Sequence, residues 1–267
     1  MDLNRFSPSL VVEIKDGHLL FDCGRGVCTQ LMRVGINPAS INHLFITHHH
    51  YDHISDYGDF VLVSWISGRS TPLKVFGPRG TKHITDLLFR QVYKTDIESR
   101  LRSGSVKSWL DIDVKEVGKG LVLTSDGWTV TSNFVDHWRT RFPDFKVDSL
   151  AFRIDSQEGS VVFSGDTMPC KEIVDLSKGA DLLIHECYLT DDESEDARRR
   201  GVTYGHTTSS QLGRIARDAS VKKLVLTHFR PNRTLELLEM MKRDVEKTFN
   251  GEVVLGEDLM QLELQVD

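Results

Sequence analysis

Residues 47–53 read Thr-His-His-His-Tyr-Asp-His and directly follow the apolar run Leu44-Phe45-Ile46. A short apolar run of this kind is typical of a buried strand, which places the polar segment in a loop where the strand ends. Such a loop presents ring nitrogens and a carboxylate from one turn, and divalent metal ions bind that mixture of donors. A histidine-rich loop can also be ordinary polar surface, but this spacing after a strand favours a metal site. The candidate ligands are His48, His50, Asp52 and His53.

The composition allows a large folded domain and gives little sign of a nucleic-acid groove. The chain has 267 residues, of which 39% are apolar, so it can bury a substantial core. Its formal net charge is -6, which argues against a broad basic surface but leaves room for a compact basic patch. Because no linker rich in glycine, serine or proline divides the sequence, we expect one domain over residues 1–267.

Three features predict a cytoplasmic protein that does not enter a membrane. The polar start of the chain lacks the long apolar segment of a signal peptide. No run approaches the roughly 20 apolar residues that span a bilayer. The cysteines are scattered without metal-binding spacing, so we expect reduced core residues. They are Cys23, Cys28, Cys170 and Cys187.

Alternating apolar and turn-rich segments predict an α/β fold with two strand-rich halves. We predict strands near residues 10–14, 18–22, 43–46, 74–76, 114–117, 128–135, 149–154, 160–164, 182–184 and 223–227. We predict helices near residues 27–34, 54–66, 82–100, 209–218 and 234–249. The acidic-then-basic stretch 191–200 is predicted to be a solvated loop or helix face. Two such halves indicate two sheets packed together with a helical layer on each flank.

Acidic and imidazole side chains recur where other predicted strands end. Ligands usually bind at the carboxyl edge of layered α/β sheets, because the turns there are free to present functional groups. A single histidine after a strand is more often a hydrogen-bonded core or surface residue. Five coincidences, counting the first loop, instead indicate a dinuclear metal site. The four further positions are Asp136-His137, Asp166, His185-Glu186 and His228.

These motifs resemble those of metallo-β-lactamase-fold hydrolases, and within that superfamily those of the ribonuclease Z and arylsulfatase-like branch. The resemblance extends from about Asn4 to Phe229 and is more specific for the superfamily than for the substrate. It implies a four-layered αββα sandwich of two mixed sheets flanked by helices, and it implies a homodimer. The matching segments are residues 47–53, 136–137, 164–167, 185–186, 205–207 and 227–229.

The resemblance also implies two divalent metal ions that hold a shared hydroxide as the nucleophile. The implied ligands are His48, His50 and His137 for one ion, Asp52, His53 and His228 for the other, and Asp166 as a bridge. Zinc is the expected metal, although the donors also suit manganese, iron or cobalt.

Two residues are expected to take part in catalysis. The resemblance implies that His206 assists departure of the leaving group, which an imidazole can do as a general acid. The alternative is a histidine that binds backbone at the start of a helix, beside the N-cap candidates at residues 207–209. Asp52 is expected to accept a proton as well as to bind metal. His185 and Glu186 are expected to orient the metal-binding imidazoles.

Two departures from the family pattern bear on the substrate and on the N-terminus. Ribonuclease Z proteins typically carry a long arm that grips transfer RNA, yet His137 and Asp166 are only 29 positions apart (166 minus 137), which leaves no room for it. The usual first strand and Gly-Thr-Gly turn are also missing. Either the chain is truncated or its first sheet lacks an edge strand.

The leading hypothesis is a metal-dependent phosphodiesterase of the ribonuclease Z type that acts on an RNA 3′ end. The missing arm keeps a second hypothesis open, namely hydrolysis of a small sulfate ester, carboxylic ester, lactone or β-lactam at the same site. A third hypothesis is a non-catalytic metal-binding subunit. Side chains that could contact the substrate are Arg69, Arg139, Arg141, Lys146, Arg230, Trp138, Phe142 and Phe145, and Trp65 if it is not simply core.

Overall fold

The computed structural model describes residues 5–15, 17–140, 142, 144, 147–202 and 204–264. The chain divides into two compact units. The N-terminal unit is Phe6–Val117, and the C-terminal unit is Gly118–Asp267 together with Met1–Arg5. Each unit contains one mixed β-sheet and its own helices.

The N-terminal unit has a five-stranded sheet among its described residues, in the order β1-β2-β3-β4-β5. Strands β1 and β2 are antiparallel, and each later neighbouring pair is parallel. The strands are β1 (Leu10–Ile14), β2 (Gly17–Phe21), β3 (His43–Phe45), β4 (Leu73–Gly77) and β5 (Ile112–Glu116). The helices are α1 (Val27–Arg33), α2 (Tyr51–Ile54), α3 (Tyr57–Ile66), α4 (Thr81–Leu87) and α5 (Lys94–Ser103), with a π-helical segment at Leu88–Val92.

Apolar side chains on both faces of the central strands hold the N-terminal unit together, as expected for parallel strands. On one face, Leu20 and Leu44 are buried in a cluster with Phe60 of α3. Because successive side chains alternate between faces, the other face carries a ladder of stacked rings with centroids 4.8 and 5.0 Å apart. The ladder consists of Phe21, Phe45 and Phe76.

The C-terminal unit has a seven-stranded sheet among its described residues, in the order β12-β11-β10-β9-β8-β7-β6. Strands β9 to β12 are parallel, and β6 to β9 are antiparallel. The strands are β6 (Gly120–Ser125), β7 (Trp128–Val135), β8 (Ser149–Ser156), β9 (Gly159–Phe163), β10 (Leu182–Glu186), β11 (Lys223–Thr227) and β12 (Glu252–Leu255). The helices are α6 (Lys171–Ser177), α7 (Asp191–Arg199), α8 (Ser209–Ala219) and α9 (Leu235–Glu246).

Helices α8 and α9 pack on the parallel part of this sheet. Helix α8 begins with a capping box, in which Thr208 and Gln211 each bond the other's backbone N–H. This cap fixes the residue at which the loop before α8 becomes helical. The buried cluster beneath the two helices includes Leu183, Leu212, Ile215, Leu224, Leu238 and Met241.

The order and direction of the strands bring the polar strand ends of each unit to one edge. In the N-terminal unit, β2 and β3 are parallel, so Asp22 and the loop 46–50 follow neighbouring strand ends. In the C-terminal unit, β7 runs in the same direction as β9, β10 and β11 because two antiparallel pairings separate β7 from β9. Asp136, Asp166, Glu186 and His228 therefore lie at one edge of the seven-stranded sheet.

The predicted α/β class, with two mixed sheets flanked by helices, is confirmed, and each predicted strand overlaps an observed one. The single helix predicted over residues 82–100 is wrong, because α4, the π-helical segment and α5 are successive elements. The strand predicted at 114–117 in the second half is part of β5, which ends at residue 116 and belongs to the N-terminal unit. Strands β6 and β12 and helix α6 were not predicted. One domain over residues 1–267 stays a prediction.

Within the described part of the chain, none of the helices has the length and hydropathy needed to cross a bilayer.

Candidate metal centre

The histidine-rich loop after β3 gathers four candidate ligands in the N-terminal unit. The ring centroids of His48 and His53 are 4.1 Å apart, and those of His48 and His50 are 4.7 Å apart. Donor atoms of Asp52 and His53 lie within 4.8 Å of one another. His48 and His53 are fully buried, whereas His50 and Asp52 are partly exposed. The loop therefore holds several donors close together, as the sequence predicts.

A buried carboxyl group that the sequence analysis missed orients this loop. Asp22 Oδ1 accepts a hydrogen bond of 2.7 Å from the backbone N–H of Thr47, and Oδ2 accepts one of 2.8 Å from the Thr47 hydroxyl. Oδ2 also lies 2.7 Å from His53 Nδ1. A metal-binding histidine usually donates its other ring N–H to a carboxylate or carbonyl, which fixes the tautomer and the ring orientation. Asp22 provides that support for His53.

In the C-terminal unit, three histidines surround Asp166. Its Oδ1 lies 3.4 Å from His228 Nε2, and its Oδ2 lies 3.9 Å from both His137 Nε2 and His206 Nδ1. The carboxylate is almost fully buried. A buried carboxylate among imidazole nitrogens is a suitable environment for a divalent cation, whose charge would offset the cost of burying the anion.

Burial and one hydrogen bond fix the state of His137. Burial lowers the pKa of His137 to about 4, although the nearby Asp166 carboxylate acts in the opposite direction. The ring is therefore neutral at pH 7, and its Nδ1 donates a 2.6 Å hydrogen bond to the Gly205 carbonyl. This tautomer directs the lone pair of Nε2 towards the Asp166 side. A Cβ at Gly205 would lie 2.9 Å from Nδ1, so glycine permits this close approach.

A buried carboxyl group, rather than nearby backbone, holds His206. His206 Nδ1 lies 2.9 Å from Glu186 Oε1, at the end of β10. Glu186 is itself fixed, because it accepts hydrogen bonds from the backbone N–H groups of Thr167 and Thr207. Thr208 caps helix α8. These contacts argue against reading His206 as a helix-start histidine that binds nearby backbone.

The remaining predicted residues have varied surroundings. His185 is buried, which lowers its pKa, and its Nδ1 donates to the Glu186 carbonyl. Trp138 lies beside His137, with ring centroids 5.9 Å apart, and stacks on Phe142. The other contacts are Trp65 Nε1 to Ser108, Arg69 to Asn42 and Pro38, Arg139 over the Phe134 ring, and Arg230 to Glu193. Arg141, Phe145 and Lys146 lie outside the described residues.

Comparison with known proteins shows the family to which the chain belongs. Residues 18–229 match the model of the beta-lactamase superfamily domain. Ribonuclease Z of Mycobacterium avium is 31% identical over 98% of this chain and 94% of its own length. The metallo-β-lactamase-fold protein YhfI of Bacillus subtilis has a TM-score of 0.74 at 22% identity and covers 96% of this chain and 90% of its own. The short form of human tRNase Z has a TM-score of 0.72 at 23% identity over 99% and 95% of the two chains.

The chain belongs to the metallo-β-lactamase-fold branch of the beta-lactamase superfamily, among the ribonuclease Z-like proteins. It is a metal-dependent hydrolase of that kind. The histidine–aspartate cluster around Asp166 fits the divalent metal that such an enzyme requires, because imidazole nitrogens and a carboxylate are the donors that these ions bind.

Proposed function

We propose that this hydrolase is a phosphodiesterase of the ribonuclease Z type that cleaves RNA near its 3′ end. The observation that carries the proposal is the similarity to a ribonuclease Z over nearly the full length of both chains. The arrangement of His206, Glu186 and Asp166 supports it, since phosphodiester cleavage needs a proton donor for the leaving oxygen near the reacting phosphate.

Two divalent ions are proposed to bind to this chain, with zinc as the first choice. The proposed ligands are His48, His50 and His137 for one ion, Asp52, His53 and His228 for the other, and Asp166 for both. The carboxyl group beside His53 and the carbonyl beside His137 support this set, because each leaves Nε2 as the ligand nitrogen. When bound, such ions supply an activated water and neutralise charge on a phosphodiester.

The chain's own residues would move the protons. His206, with both ring nitrogens protonated, is proposed to give the Nε2 proton to the leaving oxygen as the phosphorus–oxygen bond breaks, while the Nδ1 proton stays in the hydrogen bond to Glu186. Glu186 holds the opposite ring nitrogen and so fixes one point of the imidazole. Asp52 is proposed to accept the proton of the attacking water. A cytoplasmic location and a homodimer stay predictions that accompany this proposal.

A second candidate is hydrolysis of a smaller ester, lactone or lactam by the same residues. The specific observation in its favour is the short interval between His137 and Asp166, which contains β8 and β9. An enzyme without a long arm grips a large RNA less firmly. The proposal therefore needs a test in which both substrate classes compete.

The test is a substrate panel with metal-reconstituted protein and Asp166→Ala. The panel contains a transfer-RNA precursor with a 3′ trailer, bis(4-nitrophenyl) phosphate, an aryl sulfate, a lactone and a β-lactam. Metal content is measured in the same samples. We expect about two ions per chain and cleavage of both phosphodiesters, with the precursor cut at one position. Asp126→Ala, in the turn between β6 and β7, is the matched control and should behave as the native chain.

The outcomes separate the candidates. Turnover of the sulfate, lactone or lactam without RNA cleavage would favour the second candidate over the first. No turnover and no bound metal would indicate the non-catalytic subunit. Full metal content and activity in Asp166→Ala would contradict the bridging role of Asp166.

A further inference from the structure

The ring of Tyr188 stacks on the imidazole of His206. The centroids are 4.2 Å apart and the planes are inclined by only 18°. The neighbouring imidazoles make looser contacts with His206, at 5.0 Å for His137 and 5.7 Å for His228. Tyr188 is therefore the closest aromatic neighbour of His206 among these rings.

The backbone of Tyr188 is held in place by its surroundings. Its carbonyl accepts a 3.0 Å hydrogen bond from Arg233 Nη2, and the Arg233 guanidinium also binds Glu193. Glu193 belongs to the capping box that begins α7 at Thr190, two residues after Tyr188. Leu189 forms a β-bridge with Thr208 at the start of α8. The tyrosine ring is thus presented from a fixed segment.

We propose that Tyr188 is a positioning residue for His206, and this proposal rests on the role of His206 as the proton donor. The bond to Glu186 fixes one ring nitrogen but leaves the ring able to rock about the Nδ1–Oε1 line. The tyrosine ring, lying parallel to the imidazole plane, opposes that rocking. Together the two contacts set the direction of Nε2. Proton transfer depends on such alignment, and a displacement of about 1 Å can cost about 100-fold in rate.

Three variants distinguish the effect of the Tyr188 ring from that of its hydroxyl and from that of losing a nearby aromatic ring. Tyr188→Ala removes the stacked ring, and Tyr188→Phe retains it. Tyr204→Ala is the matched control. The Tyr204 ring centroid lies 6.4 Å from that of Tyr188, and the Arg230 guanidinium lies over the Tyr204 ring. Within the described part of the chain, Tyr204 makes no ring contact with His206. Metal content is measured for every variant, since Tyr188 also lies 5.7 Å from the His228 ring.

The experiment compares kcat for two phosphodiesters that differ in their need for a proton donor. The leaving group in RNA cleavage is a ribose alkoxide, which must be protonated. Cleavage of bis(4-nitrophenyl) phosphate instead releases 4-nitrophenolate, which is stable without a proton. We expect Tyr188→Ala to lower kcat for RNA about 10- to 100-fold and to change kcat for the nitrophenyl diester less than about threefold. Tyr188→Phe and Tyr204→Ala should retain the native kcat for both substrates.

Crystal structures of metal-free Tyr188→Ala and Tyr188→Phe give a readout that does not depend on activity. The His206 ring should leave its native plane in the alanine variant and keep it in the phenylalanine variant. An unchanged ring in Tyr188→Ala, an equal loss for both diesters, or a change in KM alone would overturn the proposal. If the native protein cleaves the nitrophenyl diester but not RNA, the proposed RNA substrate is wrong, and the crystal structures still decide the role of Tyr188.

Discussion

At the scale of single residues, Asp22 is proposed to bind no metal, yet it makes three contacts with the histidine-rich loop. It fixes the backbone and hydroxyl of Thr47 and one ring nitrogen of His53. We predict that Asp22→Asn lowers the affinity for zinc about 10- to 100-fold, because the amide nitrogen cannot accept the bond that orients His53. Competition with a chromophoric chelator measures the affinity. Asp126→Asn removes the same charge from an exposed turn and is the control.

An unchanged zinc affinity in correctly folded Asp22→Asn would show that the loop is rigid without this carboxyl group. Circular dichroism in the far ultraviolet checks the fold of both variants. A loss of zinc affinity in Asp126→Asn as well would point to net charge as the cause instead.

The sequence predicted the residues of the candidate site better than their supports. His48, His53, Asp166 and His228 stand out because polar groups follow apolar strands, and the structure gathers them within each unit. Asp22 follows a strand in the same way, but its role depends on His53, which is 31 positions away. Tyr188 could not be found by spacing, because its contact with His206 depends on how the loop before α8 folds back on the end of β10.

At the scale of elements, Asp181 connects the starts of three neighbouring strands of the seven-stranded sheet, β9, β10 and β11. It lies directly before β10, accepts bonds from the backbone and hydroxyl of Ser160 in β9, and pairs with Lys222 just before β11. The hydrogen bond from Lys222, with those from Ser160, lowers the pKa of Asp181 from 3.8 to about 2. A carboxyl group with a lowered pKa in the folded state stabilises that state only while it is ionised.

We therefore predict a pH-dependent cost for Asp181→Asn. The substitution should lower the free energy of unfolding by on the order of 1 kcal/mol at pH 7, since solvent screens the exposed Lys222 partner. The difference from the native chain should persist above about pH 4 and shrink as the pH falls to about 2, the pKa at which half of the native carboxyl groups are protonated. Urea titrations of metal-free protein at several pH values measure it. A difference that is the same at pH 7 and pH 2.5 would contradict this origin.

The elements that the sequence did not predict are short and lack start signals. Helix α6 has seven residues and begins after Cys170, which makes no side-chain cap. Strand β6 leaves Leu121 exposed at the sheet edge, so its alternation is weak. The sequence of the predicted helix at 82–100 shows no break, and the π-helical segment between α4 and α5 is accompanied by the packing of Phe89 against Tyr57 and Tyr93. The longer strand β7 was predicted with its observed bounds, because β-branched and aromatic residues fill most of it.

At the scale of the whole molecule, the proposed ligands extend from residue 48 to residue 228. Ions that need donors so far apart in sequence bind the folded chain and not the unfolded one, so they stabilise the fold by mass action. Free zinc at 100 times its dissociation constant would contribute about 2.7 kcal/mol for one site. In a chain of this length that corresponds to a rise in Tm of about 5–10 °C.

We predict that removing the metal with a chelator lowers the Tm of the native chain by about that amount, and that added zinc restores it. In Asp166→Ala the Tm should respond to neither treatment, because the carboxylate shared by three histidines is gone. Scanning calorimetry measures both proteins, with metal content determined before each scan. If the Tm of the native chain stays unchanged after complete removal of the metal, the bound ions do not depend on donors from such distant parts of the chain. In that case Asp166 and its histidines would have to be stable as a buried cluster without a metal ion, and burying a carboxylate without that positive charge is costly.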